Sequence, residues 1–457
     1  MGTMLTLSPD TVLRPEPDGA LMFQRETAET ALLDLEGLEA LYFLLKGQLR
    51  DYPVFFVGYL LEKSFVVRGR PDGSQERIVQ VLDLAPTTRA PPRSLAAPET
   101  IHFAVTGRCD QACEGCFYSA RPGSEVEARD APFPLFEKVV AEAGRVRVFQ
   151  MALGGGEPLL HPRIVEMVRL AREHGVVANI TTNGNLLDRE MALALKEAGL
   201  GQIQISLNGA SEEANAATRP NFRRAMQALE TCREVGLRFG INFLVTRSNL
   251  GEFPAVVELG RRLGAASVNL LRPKPPTTGE DWLERESLDS KGYRALRDSL
   301  RRLKVTSSKL RVTHPQPATC NLKPETRITI DASLTFLLTD HPPDRLYRAG
   351  VWGCTAARRF LTITQDGEVL PCSHVRWSDP SARPFDRLRG DLRAGVGEGD
   401  FMRVWWESEV FARFRAQEEA MRGPCRACPY LELCKGCRAV VMAFGGDFSD
   451  SDPHCPR

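Results

Sequence analysis

Apolar positions change their spacing several times along this chain, and each change marks an element. Thr11 to Arg14 and Ala20 to Phe23 are short apolar runs flanking Pro17-Asp18-Gly19, a turn signature, and together they predict a hairpin. Leu38, Leu41, Tyr42, Leu44 and Leu45 then recur at helical intervals, and a second apolar stretch follows through Val57, Leu60 and Leu61. The Pro-rich stretch from Ala85-Pro86 through Pro91-Pro92 to Pro98 closes this unit and reads as a linker. From Ile101 onward, short β-rich runs alternate with amphipathic stretches. Strands are expected near 101–105, 146–153, 176–181, 202–207, 239–245 and 267–271, with helices between them such as Arg163 to His174, whose Ile164, Met167, Val168 and Ala171 share a face. The expected class is α/β, a partial barrel of six βα units with chemistry in the loops that follow strands. After about residue 310 the alternation fades into a region rich in Cys, Gly and Pro, so three domains are expected: 1–90, 96–310 and 311–457.

Charge narrows the function. Lys plus Arg (59) nearly cancels Asp plus Glu (58), which leaves no basic field for nucleic acid or an anionic membrane. The longest apolar run, Pro53 to Leu61, is well short of the ~20 residues of a membrane-spanning helix. No secretory signal pattern is evident. The opening Met1-Gly2-Thr3-Met4-Leu5-Thr6 formally fits a myristoylation pattern, one short enough to recur by chance. A cytoplasmic location is expected, and there twelve cysteines point to metal binding or catalysis rather than to disulfides.

Cys109, Cys113 and Cys116 follow the first expected barrel strand. Three thiolates can hold three irons of a four-iron cluster and leave the fourth iron open to a cofactor or substrate; a three-cysteine zinc site or spare thiols is the plainer alternative. The second strand ends in Gly154-Gly155-Gly156-Glu157-Pro158. Glycines let backbone approach a ligand and Glu157 offers a carboxylate to an ammonium, although a tight βα turn needs no ligand at all. Cys425, Cys428, Cys434 and Cys437, taken alone, suit a compact zinc site, and Cys232 on a predicted helix reads as a small buried apolar residue.

The triad after one strand and Gly155-Gly156-Glu157-Pro158 after the next resemble the radical S-adenosylmethionine (radical SAM) superfamily. The resemblance implies that the open iron binds the amino and carboxylate groups of S-adenosylmethionine and that the Gly-Gly-Glu loop receives its amino group. Thr182-Asn183-Gly184 and Ser206-Leu207-Asn208-Gly209 are weaker echoes, implying cofactor contacts from Asn183 and from Ser206 toward the ribose. One departure stands out: Gly115 occupies the place where the family often has an aromatic, with Phe117 and Tyr118 following instead, so adenine packing is expected to differ.

The order Cys354, Gly367, Cys372, Cys425, Cys428, Cys434, Cys437 and Cys455 resembles the SPASM extension of that superfamily, which implies two auxiliary four-iron clusters and three clusters in all. By the family scheme Cys425, Cys428, Cys434 and Cys455 bind the outer cluster and Cys354, Cys372 and Cys437 the inner one. Only Lys435 and Gly436 stand where the family usually has three residues. Cys320 or His374 is a candidate fourth inner ligand, or the site is open for a substrate thiolate. The N-terminal unit resembles the precursor-recognition domains of peptide-modifying members, which implies that a leader peptide adds a strand to its sheet edge; an ordinary cap on the barrel is the alternative. The implied activity is reductive cleavage of S-adenosylmethionine to a 5'-deoxyadenosyl radical and hydrogen abstraction from a ribosomally made peptide. An oxidative crosslink is favoured over epimerisation, excision or side-chain oxidation. An external one-electron reductant such as flavodoxin or ferredoxin is implied too. The rivals are a radical enzyme acting on a small metabolite and a non-catalytic zinc protein. No residue is assigned as general acid or base.

Overall fold

In a computed structural model, residues 4–48, 54–69, 72–123, 129–275, 280–303, 310–313, 326–348, 350–374 and 400–457 are described. The expected hairpin is present as β2 (Thr11–Glu16) and β3 (Gly19–Gln24), preceded by β1 (Met4–Leu7). A third strand, β4 (Thr30–Asp34), pairs antiparallel with β3. Gly19 is required at the turn, because a Cβ there would lie 2.0 Å from the Leu33 carbonyl oxygen. Both apolar stretches are helical, as α1 (Leu35–Leu45), capped by Asp34 onto the Gly37 amide at 2.7 Å, and α2 (Val54–Glu62). β5 (Val66–Gly69), which pairs with β1, and α3 (Ser74–Leu84) complete the unit.

The Pro-rich connector is no free linker. Arg14, buried, donates to the Ala97 and Pro98 carbonyls at 2.9 Å each, Glu16 accepts from the Ala96 amide at 2.7 Å, and Trp405 donates to the Leu95 carbonyl at 3.2 Å. Phe23 of the N-terminal sheet stacks on Phe149 of the barrel with centroids 4.8 Å apart, a pairing that contributes about 1 kcal/mol beyond the area it buries.

All six expected barrel strands form: β6 (Thr100–Thr106), β7 (Gln150–Gly155), β8 (Val177–Thr182), β9 (Gln202–Ser206), β10 (Phe239–Leu244) and β11 (Ser267–Leu271). They pair in parallel, with helices such as α4 (Phe133–Arg145) and α5 (Ile164–Glu173) against them. The expected face of α5, Ile164, Met167, Val168 and Ala171, is buried in the main core. The sheet is wider than six strands. β13 (Arg327–Asp331) pairs parallel with β11 and with β12 (Leu310–Thr313), while β14 (Phe360–Ile363), itself paired with β15 (Val369–Leu370), joins β6 in parallel. The cysteine-rich region therefore grows out of the sheet that carries the triad loop.

β6 turns His102 inward to stack on Phe360 at 4.9 Å, and burial, with Lys274 nearby, pushes its imidazole down to about 4. A histidine neutral in the fold and charged when unfolded below its ordinary 6.5 makes stability rise with pH between about 4 and 6.5. His102→Gln is expected to flatten that part of a pH–stability curve measured by chemical denaturation; an unchanged slope would show that His102 is not held neutral.

Candidate functional site

The cysteine loop leaves the end of β6 and is anchored at its base. Arg108 grips Asp130 through Nε (2.9 Å) and a terminal nitrogen (2.7 Å), and reaches the Leu160 carbonyl at 2.8 Å. The loop after β7 docks against this base through its backbone, the Gly156 amide donating to Thr106 at 2.8 Å and the Glu157 amide to Arg108 at 2.7 Å. A Cβ on Gly155 or Gly156 would lie 2.2 Å or 2.0 Å from those same carbonyl oxygens, so the two glycines are demanded by the approach of protein backbone. A Cβ on Gly154 would meet nothing within 4 Å; the open side of the loop lies there.

Glu157 is buried and heavily bonded within the protein. Its Oε1 accepts from Thr182 Oγ1 (2.7 Å) and the Leu159 amide (3.0 Å), and its Oε2 from the Asn183 amide (2.8 Å). Burial pushes its carboxyl up to about 7 against these donors. Pro158, also buried, opens the short helical turn that Glu157 caps. Asn183 donates to Asp110 at 2.7 Å and approaches Cys109 Sγ at 4.0 Å, and Asn221 holds the Asn183 carbonyl at 2.7 Å. Ser206 closes β9, buried, beside Asn242 of β10. Glu157, Asn183 and the triad thus share one locale, and Ser206 ends the neighbouring strand.

Burial pushes the Cys109 thiol up to about 12, with Glu157, Cys116 and Asp110 adding to it, and raises Cys113 as well, where Arg219 at 3.7 Å from Sγ opposes the effect. The C-terminal cysteines fall into two electrostatic neighbourhoods. Cys372, raised by burial to about 12, interacts with Cys354 and Cys437. Cys434, raised equally by burial, interacts with Cys455 and Cys425, and Cys455 with Cys425 and Cys428.

Thiols crowded together and denied ionisation by burial are what iron relieves, because a thiolate ligand is deprotonated by its metal. Among the described residues, no three His, Cys, Asp or Glu side chains form a group that could hold one metal ion. A four-iron cluster makes a different demand, since it takes each thiolate on a separate iron. The short spacing before Cys437 is accommodated by Lys435 and Gly436, both left-handed (φ 61° and 64°). Cys320 lies outside the described residues. His374 lies two residues past Cys372 with its Nδ1 buried and unpartnered, and its ring sits 4.6 Å from Phe117 of the triad loop. Cys232 is buried in the apolar core, as expected.

Three features escape a reading of the sequence. A Cβ on Gly115 would lie 2.3 Å from ring carbons of Trp282, on the helix α6 (Glu280–Glu286), and that helix also reaches the loop through Arg285 and Glu114 at 3.7 Å. The position without an aromatic is therefore filled by one from elsewhere, with its indole N–H buried and unpartnered. Secondly, Arg272 at the end of β11 makes a two-pronged ion pair with Asp452 (2.7 and 2.8 Å), whose carboxylate also accepts from the Cys437 amide at 3.0 Å and the His454 amide at 3.1 Å. Thirdly, a partly buried Lys274–Asp331 ion pair lies near Cys372 and Cys437. Partners 57 and 180 residues apart leave no local pattern to find.

The family model for the radical SAM superfamily matches residues 103–260, and that for the SPASM iron–sulfur cluster-binding domain matches residues 354–429. An AdoMet-dependent heme synthase of Methanosarcina barkeri is 29% identical over 376 residues, covering 79% of this chain and 96% of that protein. A PqqA peptide cyclase of Gluconobacter oxydans is 29% identical over 374 residues, covering 81% and 92%. Among solved structures, Streptococcus suis SuiB bound to S-adenosylmethionine superposes with a TM-score of 0.66 at 16% identity, over 99% of this chain and 100% of that one. SuiB bound to its precursor peptide SuiA gives 0.65 at 17% identity, over 98% and 99%. These two likenesses establish the shared fold.

Proposed function

We propose that this chain, which belongs to the radical SAM superfamily and carries a SPASM domain, modifies a ribosomally made peptide, most simply by an oxidative crosslink. One observation carries the peptide reading: apolar surface is concentrated on the N-terminal unit. Leu32, Leu35, Phe55, Tyr59, Val79 and Leu84 are exposed there, and among the described residues no strand covers the outer edge of β4. The opposite edge, β2, is closed by Arg77 on the Thr11 carbonyl and Arg147 on the Leu13 carbonyl. A leader peptide would therefore extend the sheet at β4, with Leu32 as an apolar anchor. The PqqA peptide cyclase relative and the SuiB complex with SuiA support this reading.

When bound, S-adenosylmethionine beside a reduced four-iron cluster supplies a 5'-deoxyadenosyl radical able to take hydrogen from carbon. Cys109, Cys113 and Cys116 would hold that cluster; Gly155, Gly156, Glu157 and Pro158, with Asn183 and Ser206, would frame the cofactor. Glu157 orients the loop while Gly154 leaves it room, and Trp282 covers the cysteine loop and excludes water. Cys354, Cys372 and Cys437, and separately Cys425, Cys428, Cys434 and Cys455, would hold two auxiliary clusters, with electrons arriving from a flavodoxin or ferredoxin.

Anaerobically reconstituted protein should contain about twelve iron and twelve sulfide per chain. Co-expressed with its precursor, it should yield a peptide lighter by two hydrogens by mass spectrometry. Turnover of a tetrapyrrole with no peptide modified would favour a second reading, which the heme synthase relative suggests. Leu32→Asp in the full chain is expected to weaken precursor binding about tenfold or more by fluorescence anisotropy, since it places a charge on an apolar contact. Cleavage of S-adenosylmethionine without peptide should stay unchanged, and wild-type affinity would remove β4 as the docking edge.

A further inference from the structure

A cavity of about 270 Å3 lies between β2 and α3, and its wall includes three arginines from different parts of the chain: Arg25 after β3, Arg77 on α3 and Arg147 between α4 and β7. None of the residues lining it is acidic. Arg77 and Arg147 each give one donor to the β2 carbonyls, which leaves most of their N–H groups uncommitted, and Arg25 Nε is buried with no partner. The three cations repel one another. Burial lowers the Arg77 guanidinium, and Arg25 and Arg147 lower it further, while the carboxylate that acts in the other direction, Asp72, is already held by Ser74. The wall also has an apolar part, made by Val12, Leu13, Val81 and Leu84.

Three guanidiniums around a cavity of that size, with no carboxylate in its wall, select an oxyanion, and the fork of an arginine matches a carboxylate in two places at once. The apolar wall adds a requirement that a bare inorganic anion does not meet, namely an aliphatic stem carrying the charge. We infer that this cavity is a specificity site that takes an acidic side chain of glutamate type from the peptide substrate. It rests on the peptide reading above and adds to it a second, charged point of recognition, set apart from the β4 edge by the width of the sheet.

The test uses the full-length, cluster-loaded protein and three probes: N-acetylglutamate amide, N-acetylglutamine amide and inorganic phosphate, each titrated by saturation-transfer NMR. The glutamate probe is expected to bind at least about tenfold more tightly than the glutamine probe, the loss of a charge-assisted pairing being worth a decade or more. Arg77→Gln with Arg147→Gln should abolish the preference. Because those two arginines also brace β2, Arg25→Gln serves as the second variant: its Nε has no partner to lose, and it should cut the preference several-fold with iron content and circular dichroism unchanged. No preference for glutamate, a preference that survives all three substitutions, or phosphate binding as tightly as glutamate overturns the assignment, the last in favour of a free-anion site. The probes bypass the β4 edge, so Leu32→Asp leaves this result intact. Failure of the peptide reading would appear separately, as glutamate binding by an enzyme that turns over no peptide, and would remove the peptide as the source of the acid.

Discussion

Cys109→Ala is expected to abolish cleavage of S-adenosylmethionine while most auxiliary iron remains. The thiol lies in the locale of Glu157, Asn183 and Cys116, and its loop is fixed by Arg108 and Asp130 independently of the C-terminal cysteines. Removing one of three thiolates leaves two protein ligands for a cluster that already has an open iron, so iron should fall from about twelve to about eight per chain. The seven other proposed ligands fall between residues 354 and 455, in separate electrostatic neighbourhoods. Iron and sulfide analysis, with chromatography of 5'-deoxyadenosine, checks both halves. Undiminished 5'-deoxyadenosine from the variant would refute the triad's role.

Arg272→Met should do the reverse, sparing the triad and loosening the auxiliary region. Arg272 and Asp452 are each about 1% exposed, and burial alone would drive the Asp452 carboxyl upward. Arg272, with the backbone donors, outweighs burial and holds it down at about 2. Its stabilising contribution is therefore present above an ordinary aspartate's 3.8 and is lost as pH falls toward 2. Leaving that carboxylate buried without its cation costs about 3–5 kcal/mol. The same carboxylate positions the Cys437 and His454 amides, so the variant should lose auxiliary iron as well as thermal stability. Arg272→Met with Asp452→Leu should be less destabilised than the sum of the single variants, since the unpaired charge is gone. Strict additivity in thermal denaturation would show that the pair does not couple β11 to the cysteine loops.

The six barrel strands were legible because a buried parallel strand is a nearly continuous apolar run and the helices between carry one apolar face, both local patterns. The triad and glycine loop were legible because their spacing is local too. β13 and β14 were not: each is short, and β14 is recognisable as part of the sheet only through pairing with β6, some 260 residues away. β4, with Leu32 facing solvent, breaks simple alternation, and of the apolar side chains on α3 only Ile78 and Val81 are buried. The glycines of the second loop were read as room for a ligand, whereas Gly155 and Gly156 first make room for the cysteine loop itself. The departure at Gly115 was visible as a missing ring, and only the fold supplied Trp282.

Pinning the Pro-rich connector also has a consequence for any substrate. Arg14, Glu16 and Trp405 fasten residues 95–98, and Phe23 lies flat on Phe149, so the β4 edge cannot swing relative to the barrel mouth. A peptide tethered at the proposed β4 anchor would then have to bridge a set gap to the reacting carbon, and its effective concentration there would collapse once the spacer is too short to reach. On the proposed docking at β4 the enzyme would act as a ruler, with the position of the altered residue measured out in spacer length.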